Sequence, residues 1–263
     1  DASSVRCYPE VRAFRRLLAE RYGVEPERVF VSAGADESLD RLCRAFLEPG
    51  REAIFAVPTF DMLPRYASLA GATVVSVPWP RGEFPTDGVL AAVTERTGLI
   101  AVVSPNNPTG AAARVRDLER VAAGAGPALV VADLAYAEFA DEDLTETALR
   151  LPNVATTRSL SKAWGLAGLR VGYTIASRAV VQAMRVAGGP YTVPGPSLAL
   201  AAATLRAGEA QMQSYVSRVR VERDALWRLL KQLGADALPS QANFVTAYFH
   251  DARRVQSSLR QVG

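Results

Sequence analysis

The segment 158–170 holds the residues of this chain that are best suited to covalent chemistry. Lys162 follows a predicted strand, lies near Ser159 and Ser161, and precedes Arg170 by eight residues. An amine condenses with an aldehyde, while two hydroxyls and a guanidinium suit a phosphate dianion. Lysine is also rare here, since only two of the 30 basic residues are lysines. The segment predicts a site for a phosphate-bearing aldehyde cofactor; an exposed loop lysine is the simpler alternative.

A carboxylate and a phenol follow another predicted strand. Asp133 comes directly after the apolar run 128–132, and Tyr136 lies three residues later. In α/β proteins, functional groups collect at the carboxyl ends of parallel strands. A carboxylate placed there can keep a pyridine nitrogen protonated, and the phenol can bond a ring hydroxyl. The alternative is an aspartate that caps a helix or closes a turn.

Three further loops follow strands and could complete such a site. Asn107 lies in the proline-containing loop 104–110, where its amide is a candidate hydrogen-bond donor to a cofactor oxygen. Ala35 and Asp36 belong to a small-residue turn that opens a helix, an arrangement that offers backbone N–H groups to a phosphate. Phe60 could stack on a flat ring. Taken singly, these features also suit a turn, a helix start and core packing.

Alternating apolar runs and helix-period stretches predict an α/β fold with a mainly parallel sheet. The predicted strands are 29–32, 53–57, 73–77, 99–104, 128–132, 154–158 and 170–175. The predicted helices between them include 35–47, 60–69, 115–123 and 178–186.

The pattern changes after Pro190 and predicts a second lobe. A long amphipathic helix is expected over 209–233, followed by strands at 235–238 and 243–249 and a terminal helix over 252–263. We therefore expect a large cofactor-binding domain over 1–207. The range 208–263 is expected to hold the connecting helix and part of a small α+β lobe.

Composition excludes several classes of protein. The chain has 263 residues, 49% of them hydrophobic and 22% charged, with a formal net charge of +3, which is typical of a globular protein. Two cysteines and the lack of a leader or a membrane-length apolar run predict a cytoplasmic protein without a membrane span. The scattered arginines predict no nucleic-acid partner. The single histidine excludes most histidine-dependent catalysis, and no metal site is predicted.

The strings SLSKAWGLAGLRVGY and NNPTG give the chain a resemblance to a known family. From Tyr8 to about Phe249 it resembles the fold-type I pyridoxal-phosphate (PLP) enzymes of aminotransferase classes I and II, within them the histidinol-phosphate aminotransferase group. The resemblance implies a seven-stranded, mainly parallel sheet with helices on both faces, and an incomplete small α+β lobe.

The resemblance also implies roles for the residues around the cofactor ring. Lys162 would form the internal aldimine and act as general acid and base, and Asp133 would pair with the pyridine nitrogen. Asn107 and Tyr136 would bond the ring hydroxyl, and Phe60 would stack on the ring. These are the family's roles, placed on the matching positions of this sequence.

The cofactor phosphate has its own set of implied partners. They are two hydroxyls, one guanidinium and two backbone N–H groups, supplied by Ser159, Ser161, Arg170, Ala35 and Asp36.

Other implied roles concern a second subunit and the substrate. Tyr8 would contact the phosphate of a neighbouring subunit, which implies a homodimer with shared sites. Asn107 and Asn243 would bind substrate. Tyr248 stands where some enzymes that accept histidinol phosphate carry a basic residue. The family's substrate-covering string near the N-terminus and its C-terminal carboxylate-binding arginine are not in this sequence, so we expect a fragment.

Three functions follow from the resemblance. The first is an aminotransferase that acts on histidinol phosphate or on a related or aromatic amino acid, with 2-oxoglutarate as the partner oxo acid. The second is a PLP-dependent amino-acid decarboxylase similar to the threonine-phosphate decarboxylase branch. The third is a non-catalytic PLP-binding regulatory domain.

Overall fold

A computed structural model describes residues 6–262 and contains one large sheet. Its strands are β1 (Val29–Ser32), β2 (Glu52–Val57), β3 (Thr73–Pro78), β4 (Thr97–Val103), β5 (Leu129–Asp133), β6 (Val154–Ser159) and β7 (Gly172–Ile175). The helices before and between them are α1 (Arg12–Tyr22), α2 (Gly34–Phe46), α3 (Met62–Leu69), α4 (Thr86–Ala91), α5 (Val115–Gly124), α6 (Thr145–Arg150) and α7 (Arg178–Val186). Each predicted strand has a counterpart, with ends that differ by two residues or fewer.

The strand order is β1-β7-β6-β5-β4-β2-β3. Strands β2 to β6 run parallel to one another, whereas β7 is antiparallel to both β6 and β1. Every residue of β4 and β5 is buried, as expected for central strands covered on both faces. The predicted α/β fold with a mainly parallel seven-stranded sheet is confirmed.

Successive side chains of β5 pack in two different hydrophobic cores. Val130 packs in one core with Leu118 and Val121 of α5, while Val131 packs in the other with Leu42 of α2. Because successive side chains of a strand point to opposite faces, the two cores lie on the two sides of the sheet. The prediction of helices on both faces is therefore confirmed.

Cys43 belongs to the core on the α2 side. The side chain is fully buried, and burial raises the pKa of its thiol to about 12. It therefore packs as a small apolar residue and is a poor nucleophile.

Beyond the sheet, helix α8 (Gly195–Ala207) is followed by α9 (Glu209–Gln232), which is 24 residues long. Strands β8 (Asp236–Ala237) and β9 (Ala247–Tyr248) form an antiparallel pair, and α10 (Ala252–Val262) follows. Both strands are shorter than predicted. Gly263, the last residue of the predicted terminal helix, lies outside the described residues. The domain division at 207/208 stays a prediction.

The parallel strands direct several loops to one edge of the sheet. Segments 104–110, 133–136 and 159–162 follow β4, β5 and β6, which are neighbours in the sheet. Residues spread over nearly 60 positions are thereby brought together. Within residues 6–262, no helix has the length and apolar character needed to cross a membrane.

Candidate active site

A pocket lies at this edge of the sheet. Ten residues that the sequence singled out line it: Ala35, Asp36, Phe60, Asn107, Asp133, Tyr136, Ser159, Ser161, Lys162 and Arg170. Three more, Leu39, Val103 and Ala135, also line the pocket and were not predicted. The structure thus brings together residues that the sequence suggested only one loop at a time.

Asp133 forms the carboxylate end of the pocket. It is the last residue of β5 and is 4% exposed. Burial raises the pKa of its carboxyl from 3.8 to about 6, although a hydrogen bond from the Ala135 backbone N–H, 3.2 Å from Oδ1, acts in the opposite direction. A buried carboxylate of this kind is stabilised by a cationic partner. Asp133 therefore suits a protonated ring nitrogen.

Lys162 and Tyr136 lie beside each other in the pocket. The Nζ atom of Lys162 lies 5.2 Å from the centre of the Tyr136 ring. Tyr136 is buried and follows β5, and Lys162 is half-buried and follows β6. Because β5 and β6 are paired neighbours, the sheet holds the amine and the phenol close together.

Two serines and an arginine form an anion-binding wall. The Oγ atom of Ser161 is buried without a hydrogen-bond partner among the described residues. Ser159 Oγ accepts from the Ser161 backbone N–H at 3.1 Å, so its own hydroxyl hydrogen is directed elsewhere. Arg170 has a left-handed backbone with φ of 51°, and its guanidinium lies 3.1 Å from Asp36 Oδ2. An unpartnered buried hydroxyl beside a guanidinium is what a phosphate would satisfy.

The N-terminus of α2 faces the same wall. The helix has 13 residues, and its N-cap residue, Ala33, has no side chain that could accept a hydrogen bond from the first turn. Gly34 lies under Arg170, because a Cβ built there would be 2.5 Å from an Arg170 Nη atom. Gly172 of β7 packs so tightly that a Cβ on it would lie 2.5 Å from the Ala35 backbone nitrogen. These contacts place the N-terminus of α2 next to the anion-binding wall. The positive end of the helix dipole therefore lies close to that wall.

Asn107 and Phe60 lie on two loops that a neighbouring asparagine joins. Asn106 is fully buried and donates from Nδ2 to the Pro58 carbonyl at 2.8 Å and to Thr109 Oγ1 at 2.9 Å. Asn106 was not among the predicted site residues. The pair of consecutive asparagines in the loop was the only sequence feature that could have indicated its role. Its hydrogen-bond partner Pro58 is 48 residues away, so a local pattern does not show the contact.

Two predicted site residues lie outside the pocket. Tyr8 is 80% exposed and stacks on Tyr191 with ring centroids 4.7 Å apart. Asn243 is half-buried next to Phe244, whose ring lies 5.4 Å from that of Tyr136. Contact of Tyr8 with a partner subunit and of Asn243 with substrate stay predictions.

The residues present fit pyridoxal phosphate. The pocket offers an amine for its aldehyde, a buried carboxylate for its ring nitrogen, and an unpartnered hydroxyl, a guanidinium and a helix start for its phosphate. These groups line the pocket from three consecutive elements of the sheet and from α2. Such a set is suited to bond breaking at an amino-acid Cα.

Comparison with known families gives a match over nearly the whole chain. The model of the family described as aminotransferase class I and II matches residues 1–262. Histidinol-phosphate aminotransferase from Xylella fastidiosa (strain 9a5c) is 36% identical over 99% of this chain and 75% of that protein. The Paracoccus denitrificans (strain Pd 1222) enzyme of the same name is 36% identical over 95% of this chain and 69% of that protein.

A solved structure is similar in fold. It is histidinol-phosphate aminotransferase from Sinorhizobium meliloti, in complex with pyridoxal-5'-phosphate. The two structures superpose with a TM-score of 0.83 at 28% sequence identity, over 92% of this chain and 67% of that one.

Proposed function

The chain belongs to the class I and II aminotransferases, and we propose that it moves an amino group between histidinol phosphate, or a related aromatic amino donor, and 2-oxoglutarate. Lys162 is the proposed attachment point of the cofactor. The cofactor is pyridoxal 5'-phosphate, the group bound in the Sinorhizobium meliloti structure.

One observation carries the proposal. A lysine amine, a buried aspartate and an unpartnered serine hydroxyl line a single pocket, although the aspartate ends β5 whereas the serine and the lysine follow β6. A structural role for Lys162 alone would not require the other two groups around it. The combination matches the three chemical parts of one cofactor.

The chain's own residues divide the chemistry between them. When bound, pyridoxal phosphate supplies an aldehyde that condenses with amines and a ring that withdraws electrons from the substrate Cα. Asp133, as a carboxylate, keeps the proton on the ring nitrogen. Lys162 Nζ, once a substrate amine has replaced it, would take the proton from the substrate Cα and deliver it to the former aldehyde carbon of the cofactor. Tyr136 and Asn107 would hold the ring hydroxyl, and Phe60 would cover the ring.

Substrate choice rests on the relatives. The Xylella and Paracoccus proteins carry the name histidinol-phosphate aminotransferase, and this favours transfer over the decarboxylase and regulatory alternatives. We propose Asn107 and Asn243 as substrate-binding residues. Half-reactions with single amino donors test the choice: histidinol phosphate should convert the bound cofactor to its amine form faster than aliphatic amino acids do. A faster reaction with an aliphatic donor would contradict it.

Covalent trapping tests the attachment point. The protein is incubated with pyridoxal phosphate, reduced with borohydride and digested, and the peptides are analysed by mass spectrometry. We expect a pyridoxyl adduct on Lys162, and loss of both the adduct and the visible absorbance band in Lys162→Ala. Removing a general acid and base of this kind should slow transfer by about 10²- to 10⁴-fold.

The chain contains a matched control for this experiment. Lys231 is the only other lysine and is exposed on α9, outside the pocket. Lys231→Ala should keep the absorbance band, the adduct and the activity. An adduct found on Lys231 instead of Lys162, or no adduct at all, would overturn the proposed function.

A further inference from the structure

A buried ion pair joins the two segments that carry the catalytic groups. Arg158 Nη2 lies 2.8 Å from Glu138 Oε1, and the two side chains are 4% and 12% exposed. Arg158 directly precedes Ser159, and Glu138 follows Tyr136 by two residues. The pair thus links the segment after β5 to the end of β6.

The pair lies behind the pocket wall and not within it. Ser159 lines the pocket whereas Arg158 does not, as expected when neighbouring residues of a strand point to opposite faces. Burial alone would lower the pKa of Arg158, but nearby Glu138 and Asp143 hold it well above its usual value. The guanidinium is therefore cationic.

Further contacts hold Arg158 on this side of the sheet. Its Nη1 atom lies 3.2 Å from Asp143 Oδ2 and bonds the Thr145 hydroxyl. Across the sheet it is in register with Tyr173, whose hydroxyl lies 2.6 Å from that of Tyr22. The charged and titratable groups around Arg158 are thus Glu138, Asp143, Tyr22 and Tyr173.

Stability alone gives a weak reason for this pair. Buried ion pairs are often no more stabilising than apolar side chains of similar size, since both charges lose their hydration. Glu138 Oε2 and Arg158 Nε also lack hydrogen-bond partners among the described residues, so the pair is not fully satisfied. What it does provide is a fixed distance between two backbone segments.

The distance between these two segments affects where Tyr136 and Lys162 lie relative to each other. The short 3₁₀-helix Ala137–Phe139 connects Glu138 to Tyr136, with the Phe139 N–H donating to the Tyr136 carbonyl at 3.0 Å. On the other side, Ser159 is linked to Ser161 by the 3.1 Å bond and so to Lys162. A shift of about 1 Å between catalytic groups can lower a rate by about 100-fold.

We propose that Arg158 and Glu138 are positioning residues which set the placement of Tyr136 relative to Lys162, and that this is why the charges are kept in the core. The inference rests on the proposed function, because it concerns the amine that holds the cofactor. Neither residue contacts the pocket, so neither is a catalytic residue.

Three variants test the proposal in the full-length protein loaded with pyridoxal phosphate. Glu138→Gln removes one charge at nearly constant shape. The double variant Arg158→Met with Glu138→Leu removes both charges of the pair, and the other carboxylate near Arg158, that of Asp143, is 45% exposed and stays hydrated. Glu52→Gln is the matched control, since Glu52 is also buried and paired with Arg96 but lies at the amino end of β2. The readouts are the thermal midpoint, kcat, KM and the pH midpoint of the cofactor absorbance.

The expected results separate positioning from stability. The double variant should fold, yet show kcat lowered about 10- to 100-fold, KM changed by less than about 3-fold and a shifted absorbance midpoint. Glu138→Gln should show the same kinetic changes, and Glu52→Gln should show none of them. If Glu138→Gln does not fold, the double variant decides.

Two results would overturn the proposal. One is a folded double variant with wild-type kcat and absorbance midpoint. The other is a double variant that does not fold, since the pair would then be a requirement of the fold. If wild-type protein traps cofactor on Lys162 and the double variant has wild-type kcat and absorbance midpoint, this inference is wrong and the proposed function is unaffected. Wild-type protein that traps no cofactor would remove both.

Discussion

Asp133 couples the candidate site to the stability of the chain. Its side chain is 4% exposed, and burial raises the pKa of its carboxyl from 3.8 to about 6. The folded protein therefore holds this proton up to a higher pH than the unfolded chain does. Stability contributed by the neutral form is lost as the pH rises from about 4 through about 6, and the total corresponds to about 3 kcal/mol.

Replacing Asp133 by asparagine should remove this pH dependence. In cofactor-free protein, Asp133→Asn should have a higher free energy of unfolding than wild type at about pH 8, by about 2 to 3 kcal/mol more than at about pH 4.5. Urea unfolding followed by circular dichroism measures the difference. A difference that is the same at both pH values would show that the carboxyl is not held in the way the structure indicates.

Asp143 supplies a control with the opposite sign. Burial alone would raise the pKa of its carboxyl, but Arg158 and Thr145 lower it below the usual value. This carboxylate therefore adds to the free energy of unfolding at neutral pH, and that contribution is lost on acidification. Asp143→Asn should destabilise the protein at neutral pH, and the effect should shrink as the pH falls. The two substitutions together separate a carboxyl whose pKa is raised by burial from one whose pKa is lowered by a guanidinium.

At the scale of elements, the contact of β7 with the start of α2 sets the shape of the anion-binding wall. A Cβ on Gly172 would lie 2.4 Å from the Gly34 carbonyl carbon. Backbone atoms cannot swing away as a flexible side chain does. Gly172→Ala should displace α2, destabilise the protein by about 1 to 3 kcal/mol and weaken pyridoxal-phosphate binding at least about 10-fold. Thermal unfolding and fluorescence titration with the cofactor measure these effects.

Gly168 allows the same substitution without the contact. A Cβ on Gly168 would meet nothing within 4 Å, and this glycine lies only four residues away in sequence. Gly168→Ala should leave the thermal midpoint and cofactor affinity near wild type. Equal effects of the two substitutions would mean that the segment 168–172 tolerates no side chain in general, and the role assigned to the α2 contact would be wrong.

Local patterns predicted the strands because their apolar runs are short and bounded by Gly, Pro or Asp. Strand β5 is an example, with an apolar run that leads directly into Asp133. Helices α4 and α6 were not predicted, since each has only six residues and shows too few turns for a helical period. The lengths of β8 and β9 were overestimated because an apolar run does not show where its pairing partner ends.

The pocket residues were predicted wherever a chemical group follows a strand. Lys162, Asp133 and Asn107 are of this kind. Glu138 and Arg158 were not predicted to contact each other, because nothing in a local pattern joins residues 20 positions apart. Leu39 and Val103 are ordinary apolar residues whose place in the pocket wall depends on how α2 packs on β4.

At the scale of the whole molecule, the exposed aromatic pair Tyr8 and Tyr191 bears on assembly. Their side chains are 80% and 57% exposed, and they stack on each other outside the pocket of their own chain. Exposed aromatic residues are enriched at interfaces between proteins. This supports the prediction of a homodimer in which Tyr8 completes the neighbouring site, a prediction that the single chain leaves open.

Mixing a weakened variant with an inactive one tests shared sites directly. Tyr8→Ala should have weakened activity because each site loses its partner tyrosine, and Lys162→Ala should be inactive. If subunits exchange at a 1:1 ratio, half of the dimers are hybrids, and each hybrid has one site with both Lys162 and the partner's tyrosine. The mixture should therefore recover about a quarter of wild-type activity.

Size-exclusion chromatography before and after mixing checks that dimers form and exchange. Activity of the mixture that stays at the average of the two variants, although hybrids are present, would show that each subunit holds a complete site and that Tyr8 serves its own chain.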